Sequence, residues 1–218
     1  MAGPDFENGN MAIVVIGGHS RNVGKTSVVA GLIAALPQFG WTALKITQYG
    51  HGICCAQGRA CHCASVDHKW AITEERDRSG GSDTSRFLLA GARSALWVRT
   101  EQGRLGEAIP SLLSRLSDKA YIISESNSLL KFLRPDMYLT VLNPEIADFK
   151  VSARQFLPLA DALIVHKNAG SRPAWNNISF APVLGKPIFR ISPPSYVTSE
   201  IIDFVSTRLA GLSSPLPA

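Results

Sequence analysis

One stretch sets the terms for this chain: Gly17-Gly18-His19-Ser20-Arg21-Asn22-Val23-Gly24-Lys25-Thr26-Ser27. It follows the apolar run Ile13-Val14-Val15-Ile16 and precedes the helix-forming run Val28 to Leu36. Strand, glycine-bounded loop, Gly-Lys-Thr and helix, in that order, are the context in which a loop can hold phosphate. Backbone N–H groups of such a loop point at phosphate oxygens, with a helix N-terminus behind them. Lys25 can reach β- and γ-phosphates, and the Thr26 hydroxyl can ligate Mg²⁺. Residues Gly18, His19, Ser20, Arg21, Asn22, Val23, Gly24, Lys25, Thr26 and Ser27 are therefore read as a nucleotide-binding loop. The common spacing G-x-x-x-x-G-K-[ST] would place its first glycine at His19. The glycine stands at Gly18 instead, so the loop is read as one residue longer than usual.

The rest of the chain reads as the framework for that loop. After the turn at Pro37-Gln38-Phe39-Gly40, strands are expected at 41–47, 95–98, 120–125, 137–142, 162–165 and 187–191. Helices are expected at 83–92, 105–116, 151–157 and 199–209, with Pro110 in the first turn of its helix or kinking it. Short, nearly continuous apolar strands alternating with helices predict an α/β fold: a doubly wound, mostly parallel sheet flanked by helices. Ligands then bind at the C-terminal strand ends, which singles out the loop, the residues after Thr47, Glu125 and the region after Val165. Residues 48–82 read as one long polar connection. One domain is expected over 11–212, with frayed ends at 1–10 and 213–218.

Composition excludes some classes. The chain has 218 residues, 45% hydrophobic and 18% charged, with a net charge of +5. Its basic residues are spread along the chain and form no stripe, so no nucleic-acid partner is expected. No apolar run approaches the roughly 20 residues that cross a bilayer, and no signal peptide is evident, so a cytoplasmic protein with no membrane partner is expected.

Three further groups carry chemistry. Glu125 ends a strand and Asp83 opens a helix; both are read as Mg²⁺ ligands beside Thr26. A solvated strand-end acid and a helix N-cap, respectively, are the alternatives. Glu125 joins Lys25 and Thr26 as a catalytic candidate. Arg21 either adds charge at the γ-phosphate or faces solvent. All four cysteines fall within Cys54-Cys55 and Cys61-His62-Cys63. Four thiols so close suit Zn²⁺ or an iron–sulfur cluster, with a redox loop or inert thiols as the alternatives. Lys167, in Val165-His166-Lys167-Asn168-Ala169, occupies the place of a guanine-reading Asn/Thr-Lys-x-Asp. The acid of that motif is replaced by Ala169, so both GTP and ATP stay open.

The loop Gly18 to Thr26, ending Val23-Gly24-Lys25-Thr26, resembles that of dethiobiotin synthetase. Lys45, the histidine-bearing loop after it, Asp83-Thr84-Ser85-Arg86 leading to Ala90-Gly91-Ala92, and the strand ending in Glu125 resemble the molybdopterin-guanine dinucleotide biosynthesis protein B family. Both families are P-loop NTPases. The chain departs from the second at Ser126-Asn127-Ser128, where that family carries glycine. The resemblance implies an Mg²⁺-dependent nucleoside-triphosphatase linked to cofactor biosynthesis, including that of molybdenum cofactors, or to metal handling. It implies that Lys45 touches phosphate or substrate, a strand-end lysine pointing to water being the equal alternative, and it admits a cofactor-biosynthesis or metalloenzyme partner and a homodimer. An ATP-dependent ligase or kinase, and a metal-binding adaptor with a nucleotide switch, are the competing readings.

Overall fold

The computed structural model of the chain describes residues 11–49, 69–167 and 172–212. The ends at 1–10 and 213–218, the cluster Cys54, Cys55, Cys61 and Cys63, and Asn168 and Ala169 lie outside those residues.

The strand β1 (Ala12–Gly18) leads through the loop into α1 (Lys25–Ala35) and then β2 (Thr42–Tyr49). Next come β3 (Trp70–Glu74), α2 (Asp83–Leu89), β4 (Ser94–Glu101), α3 (Leu105–Leu116) and β5 (Tyr121–Glu125). The chain closes with β6 (Met137–Leu142), α4 (Val151–Phe156), β7 (Ala162–His166), β8 (Ile188–Ile191) and α5 (Ser199–Leu212). Among the described residues the strands form one eight-stranded sheet in the order β3-β4-β2-β5-β1-β6-β7-β8. Every pairing is parallel except β3 with β4. The α/β, mostly parallel architecture expected from the sequence is thus what the chain adopts.

The apolar strands explain the layering. Every residue of β1 is buried, because β1 lies mid-sheet with helices on both faces. Its side chains alternate. Val14 and Ile16 join Val28 and Leu32 of α1, Phe87 of α2, and Ile201 and Val205 of α5. Ile13 and Val15 join Leu105, Leu112 and Leu116 of α3, and Phe156 of α4. β1 is flanked by β5 on one side and β6 on the other. The chain order therefore reverses at β1, and the crevice outside the strand ends opens there, where the loop leaves the sheet.

Two expectations are corrected, and one of two alternatives for Pro110 is excluded. The connection 48–82 is not all loop. β2 runs on to Tyr49, and Trp70–Glu74 is a strand paired antiparallel to β4. Trp70 and Ile72 pack on the α3 side of the sheet, and this alternation is what recruits the segment as an edge strand. The helix expected at 83–92 stops at Leu89, and Gly91 then takes φ +105°. That glycine serves a left-handed turn, and a Cβ there would meet nothing within 4 Å. Pro110 is exposed and lies beyond the first turn of α3, inside the helix. It gives up one intrahelical hydrogen bond on the solvent side.

Candidate functional site

The loop leaves β1 at Gly18 and enters α1 at Lys25. Asn22 (φ 56°) and Gly24 (φ 88°) are both left-handed. Asn is among the few side chains that tolerate this conformation. Alternating hands turn successive backbone N–H groups toward a common concavity, the geometry that cups an anion. Lys25 curls back across the loop, and its Nζ donates to the Ser20 carbonyl at 2.7 Å. Burial lowers the Lys25 pKa to about 8, with Lys150 and Lys45 lowering it and Glu125 and Asp83 opposing.

The extra loop residue does not face the concavity. His19 is fully buried, its ring tilted against Phe149 at 5.1 Å and edge-on to Trp175 at 4.9 Å between centroids. Its Nε2 accepts from the Asn143 N–H at 3.0 Å, so Nδ1 carries the hydrogen and donates to the Asp148 carbonyl at 2.7 Å. Its backbone is engaged as well: its N–H donates to the Val141 carbonyl, and its carbonyl accepts from the Lys150 N–H. Burial holds its pKa below the ordinary histidine value, with the neighbouring Asp148 opposing. His19 therefore anchors the loop to the segment after β6. Ser20 adds a second tie, its hydroxyl donating to Asp148 Oδ2 at 2.5 Å. Arg21 is exposed.

Beyond the helix start, four side chains from four elements meet. The Thr26 hydroxyl donates to Glu125 Oε2 at 2.7 Å. Lys45 Nζ lies 2.6 Å from Glu125 Oε1 and 2.8 Å from Asp83 Oδ2. The strand order places β2 beside β5 and β5 beside β1, with Lys45 level with Glu125 and Glu125 level with Ile16. Glu125 is 5% exposed and Asp83 41%. Burial pulls the Lys45 pKa down, but the two carboxylates outweigh it and hold the ammonium above the ordinary lysine value. Asp83 is free to take part because it is not the helix cap. Ser82 caps α2, its side chain accepting from the Ser85 N–H at 3.0 Å. Arg86 ties α2 to the loop helix, its Nη2 donating to Ser27 Oγ at 3.2 Å.

The donor set is chemically specific. Two carboxylates converge on a cationic group, here the Lys45 ammonium, and the Thr26 hydroxyl holds the other oxygen of Glu125, so the position accepts positive charge. All-oxygen ligation with one or two carboxylates suits Mg²⁺ brought in with a phosphate, not a soft metal. Among the described residues no three of His, Cys, Asp and Glu gather as a self-sufficient metal cage.

Several contacts were not foreseen. Asn127 clasps Gly18 from both sides: its Oδ1 accepts from the Gly18 N–H at 3.0 Å, and its Nδ2 donates to the Gly18 carbonyl at 2.9 Å. A polar residue two places past a strand-end acid is a signal that could have found it. His166 Nε2 lies 3.0 Å from the Val23 carbonyl, and its ring meets Tyr196 edge-on. The end of β7 thus braces the loop. Lys167 follows it at the surface, with its N–H bonded to the Ile191 carbonyl.

No helix of the described residues is long and apolar enough to cross a membrane. No protein-family model matches the sequence, and no curated relative matches it. Solved structures do. HypB from Helicobacter pylori in complex with nickel matches at a TM-score of 0.49 and 16% identity, over 96% of this chain and 92% of that one. A MobB homolog from Bacillus stearothermophilus matches at 0.44 and 15%, over 92% of this chain and 99% of that one. LpxK from Aquifex aeolicus in complex with ATP matches at 0.45 and 17%, over 83% of this chain but only 53% of that one, so this chain spans about half its length. None of the three reaches a TM-score of 0.5, and the functional reading rests on this chain's own site. With the parallel sheet and the Gly18–Ser27 loop between β1 and α1, the architecture is that of the P-loop NTPases.

Proposed function

We propose that the chain binds a nucleoside triphosphate in the Gly18–Ser27 loop and promotes transfer of its terminal phosphoryl group, with Mg²⁺ as cofactor. One observation carries this: Thr26, Glu125, Asp83 and Lys45 meet at the mouth of the loop that holds Lys25. Thr26, Glu125 and Asp83 would hold Mg²⁺, directly or through water, and the bound ion would neutralise charge on the phosphates. The protein's own steps follow from the contacts. Lys25 exchanges the Ser20 carbonyl for a phosphate oxygen. The loop amides and the start of α1 supply fixed positive charge where negative charge builds up. Lys45, displaced from the carboxylates, becomes a second ammonium for the terminal phosphate. The base is either adenine or guanine.

Titration with fluorescent ATP and GTP analogues tests the proposal. Saturable, Mg²⁺-dependent binding that Lys25→Ala weakens at least tenfold is expected. No nucleotide affinity in the purified protein, or equal affinity in the variant, refutes it. Phosphate release without an added acceptor would favour the triphosphatase over a ligase or kinase. The finer link to cofactor biosynthesis or metal handling rests on the order of motifs around Lys45, Asp83 and Glu125.

A further inference from the structure

The sheet ends at β3, and the outer side of that strand is open. Glu101 donates its N–H to the Lys69 carbonyl at 3.1 Å, and Glu75 donates its own to the Ala95 carbonyl at 2.9 Å. Trp70 stands level with Thr100 and Ile72 with Val98. In that antiparallel register the backbone groups of Lys69, Ala71, Thr73 and Glu75 face β4, and those of Trp70, Ile72 and Glu74 face outward. Among the described residues nothing pairs with the outward groups. A row of free N–H and C=O groups is a template for another strand, and neither proline nor lysine stands in β3 to block one.

The side chains of the same strand line a cleft. Trp70 and Ile72 are half-buried, and with Pro110, Ser111, Ser114 and Arg115 of α3 they border an open cleft of about 520 Å³. Pro110 and Ser114, like Ser111 and Arg115, stand four apart, so all four share one helix face. α3 returns from β4 to β5, which lies parallel to it in the sheet, and β3 runs opposite to β4. α3 and β3 therefore run the same way, which puts Pro110 toward the Trp70 end of the cleft and Arg115 toward the Glu74 end. Arg115 is exposed and, among the described residues, carries no ion pair, not even with Glu74, the acid on its side of β3. One end of the cleft is apolar, and the other holds an unmatched positive charge.

We propose that this edge binds an extended segment of a partner protein, added antiparallel to β3, with an acidic residue two places before a bulky apolar one. Main-chain hydrogen bonds to Trp70 and Ile72 supply affinity, and alternate side chains reaching into the cleft supply choice. Antiparallel addition is the more stable pairing per residue. Side chains two apart on an extended chain lie about 7 Å apart on one face. Pro110 and Arg115, five residues apart, are separated by about 7–8 Å along the helix. An antiparallel strand enters at the Glu74 end, so its acid meets Arg115 and its apolar side chain follows onto Trp70 and Pro110. A second copy of this chain fits less well: two β3 strands pairing about Ile72 would bring a tryptophan, not a carboxylate, to each Arg115 end. The net charge of +5 also favours an acidic partner. The cleft lies four strands from β1, roughly 19 Å, and the proposal does not rest on the nucleotide reading.

Fluorescence anisotropy of the full chain tests this with a labelled peptide of alternating threonine and serine around a central glutamate-threonine-phenylalanine. Saturable binding is expected. N-methylation of the glutamate and phenylalanine amides, the groups that face β3, should weaken binding at least tenfold. N-methylation of the threonine between them should weaken it less than threefold. Arg115→Glu changes an exposed side chain, and circular dichroism confirms its fold. That variant should bind the probe at least threefold more weakly, and should bind a probe with lysine in place of glutamate more tightly than wild type does. No saturable binding to wild type, equal binding of the two N-methylated probes, or no response to the charge swap overturns the proposal. So does a dimer in sedimentation that Ile72→Lys converts to a monomer, since that outcome gives the edge to a second copy.

Discussion

Replacing Lys45 by Met removes one charge from the centre of the site and leaves a chain of similar length. In the wild type the ammonium lies 2.6 Å from Glu125 and 2.8 Å from Asp83. The two carboxylates fare differently without it. Asp83 is 41% exposed and can return to water, a loss of at most about 1 kcal/mol. Glu125 is 5% exposed and, among the described residues, keeps the Thr26 hydroxyl at 2.7 Å as its side-chain hydrogen-bond partner. Removing one partner of a buried pair costs about 3–5 kcal/mol. At ~2–4 °C per kcal/mol for a domain of this size, the melting temperature should fall by about 6–20 °C. The assay is thermal unfolding by circular dichroism in EDTA and then in millimolar Mg²⁺. Lys45→Met should recover part of the loss with Mg²⁺, because a cation can then occupy the carboxylate pair; wild type should respond much less. The double variant Lys45→Met/Glu125→Gln carries neither charge and should regain most of the stability in EDTA. If Lys45→Met melts within about 1 °C of wild type in EDTA, or the double variant melts as low as the single one, the reasoning fails.

Other perturbations follow from the same contacts. The buried Lys25 ammonium, with its pKa lowered to about 8, disfavours the folded state below that pH. The penalty fades as pH rises from about 8 toward the ordinary lysine value near 10.4. Nucleotide-free Lys25→Met should therefore melt above wild type at pH 7, with the gap closing above pH 8. Wild-type nucleotide affinity should fall over the same rise. His19→Ala empties a fully buried site and orphans the Asn143 N–H, so urea unfolding should show a loss of about 2–4 kcal/mol. Because His19 is held neutral in the fold, its part of the stability is present above about pH 6.5 and is lost as pH falls below that. The variant should show a flatter acid limb. Gly17→Ala would push a Cβ into Asn127 Oδ1 and to 2.6 Å from Tyr138 Cε2, dislodging the residue that clasps Gly18. Analogue titration should register at least a tenfold loss of nucleotide affinity with little change in far-ultraviolet circular dichroism.

Much of the architecture was legible because its causes are local. The runs at 13–16, 120–125, 137–142 and 162–165 are apolar enough to be buried on both faces, which only a covered parallel sheet allows. The strand at Trp70–Glu74 was not legible. It becomes a strand through its pairing with β4 and through Trp70 and Ile72 packing on the α3 side, and strand preference depends on such neighbours more than on the segment itself. Asp83 read equally well as a cap; only the capping bond of Ser82 freed it. His19 looked like part of the loop's inner surface, and only the aromatic pair Phe149 and Trp175 shows which way it turns.

The sequence alone determined that a loop with Gly18, Gly24, Lys25 and Thr26 stands between a buried strand and a helix, because backbone conformation and hydrophobic period are properties of neighbouring residues. The tertiary structure decided what surrounds that loop. Thr26 and Glu125 are 99 residues apart in the chain, and Lys45 and Glu125 are 80 apart. They meet because β2, β5 and β1 lie side by side, and strand order is set by which faces must be buried together, a property of the whole chain.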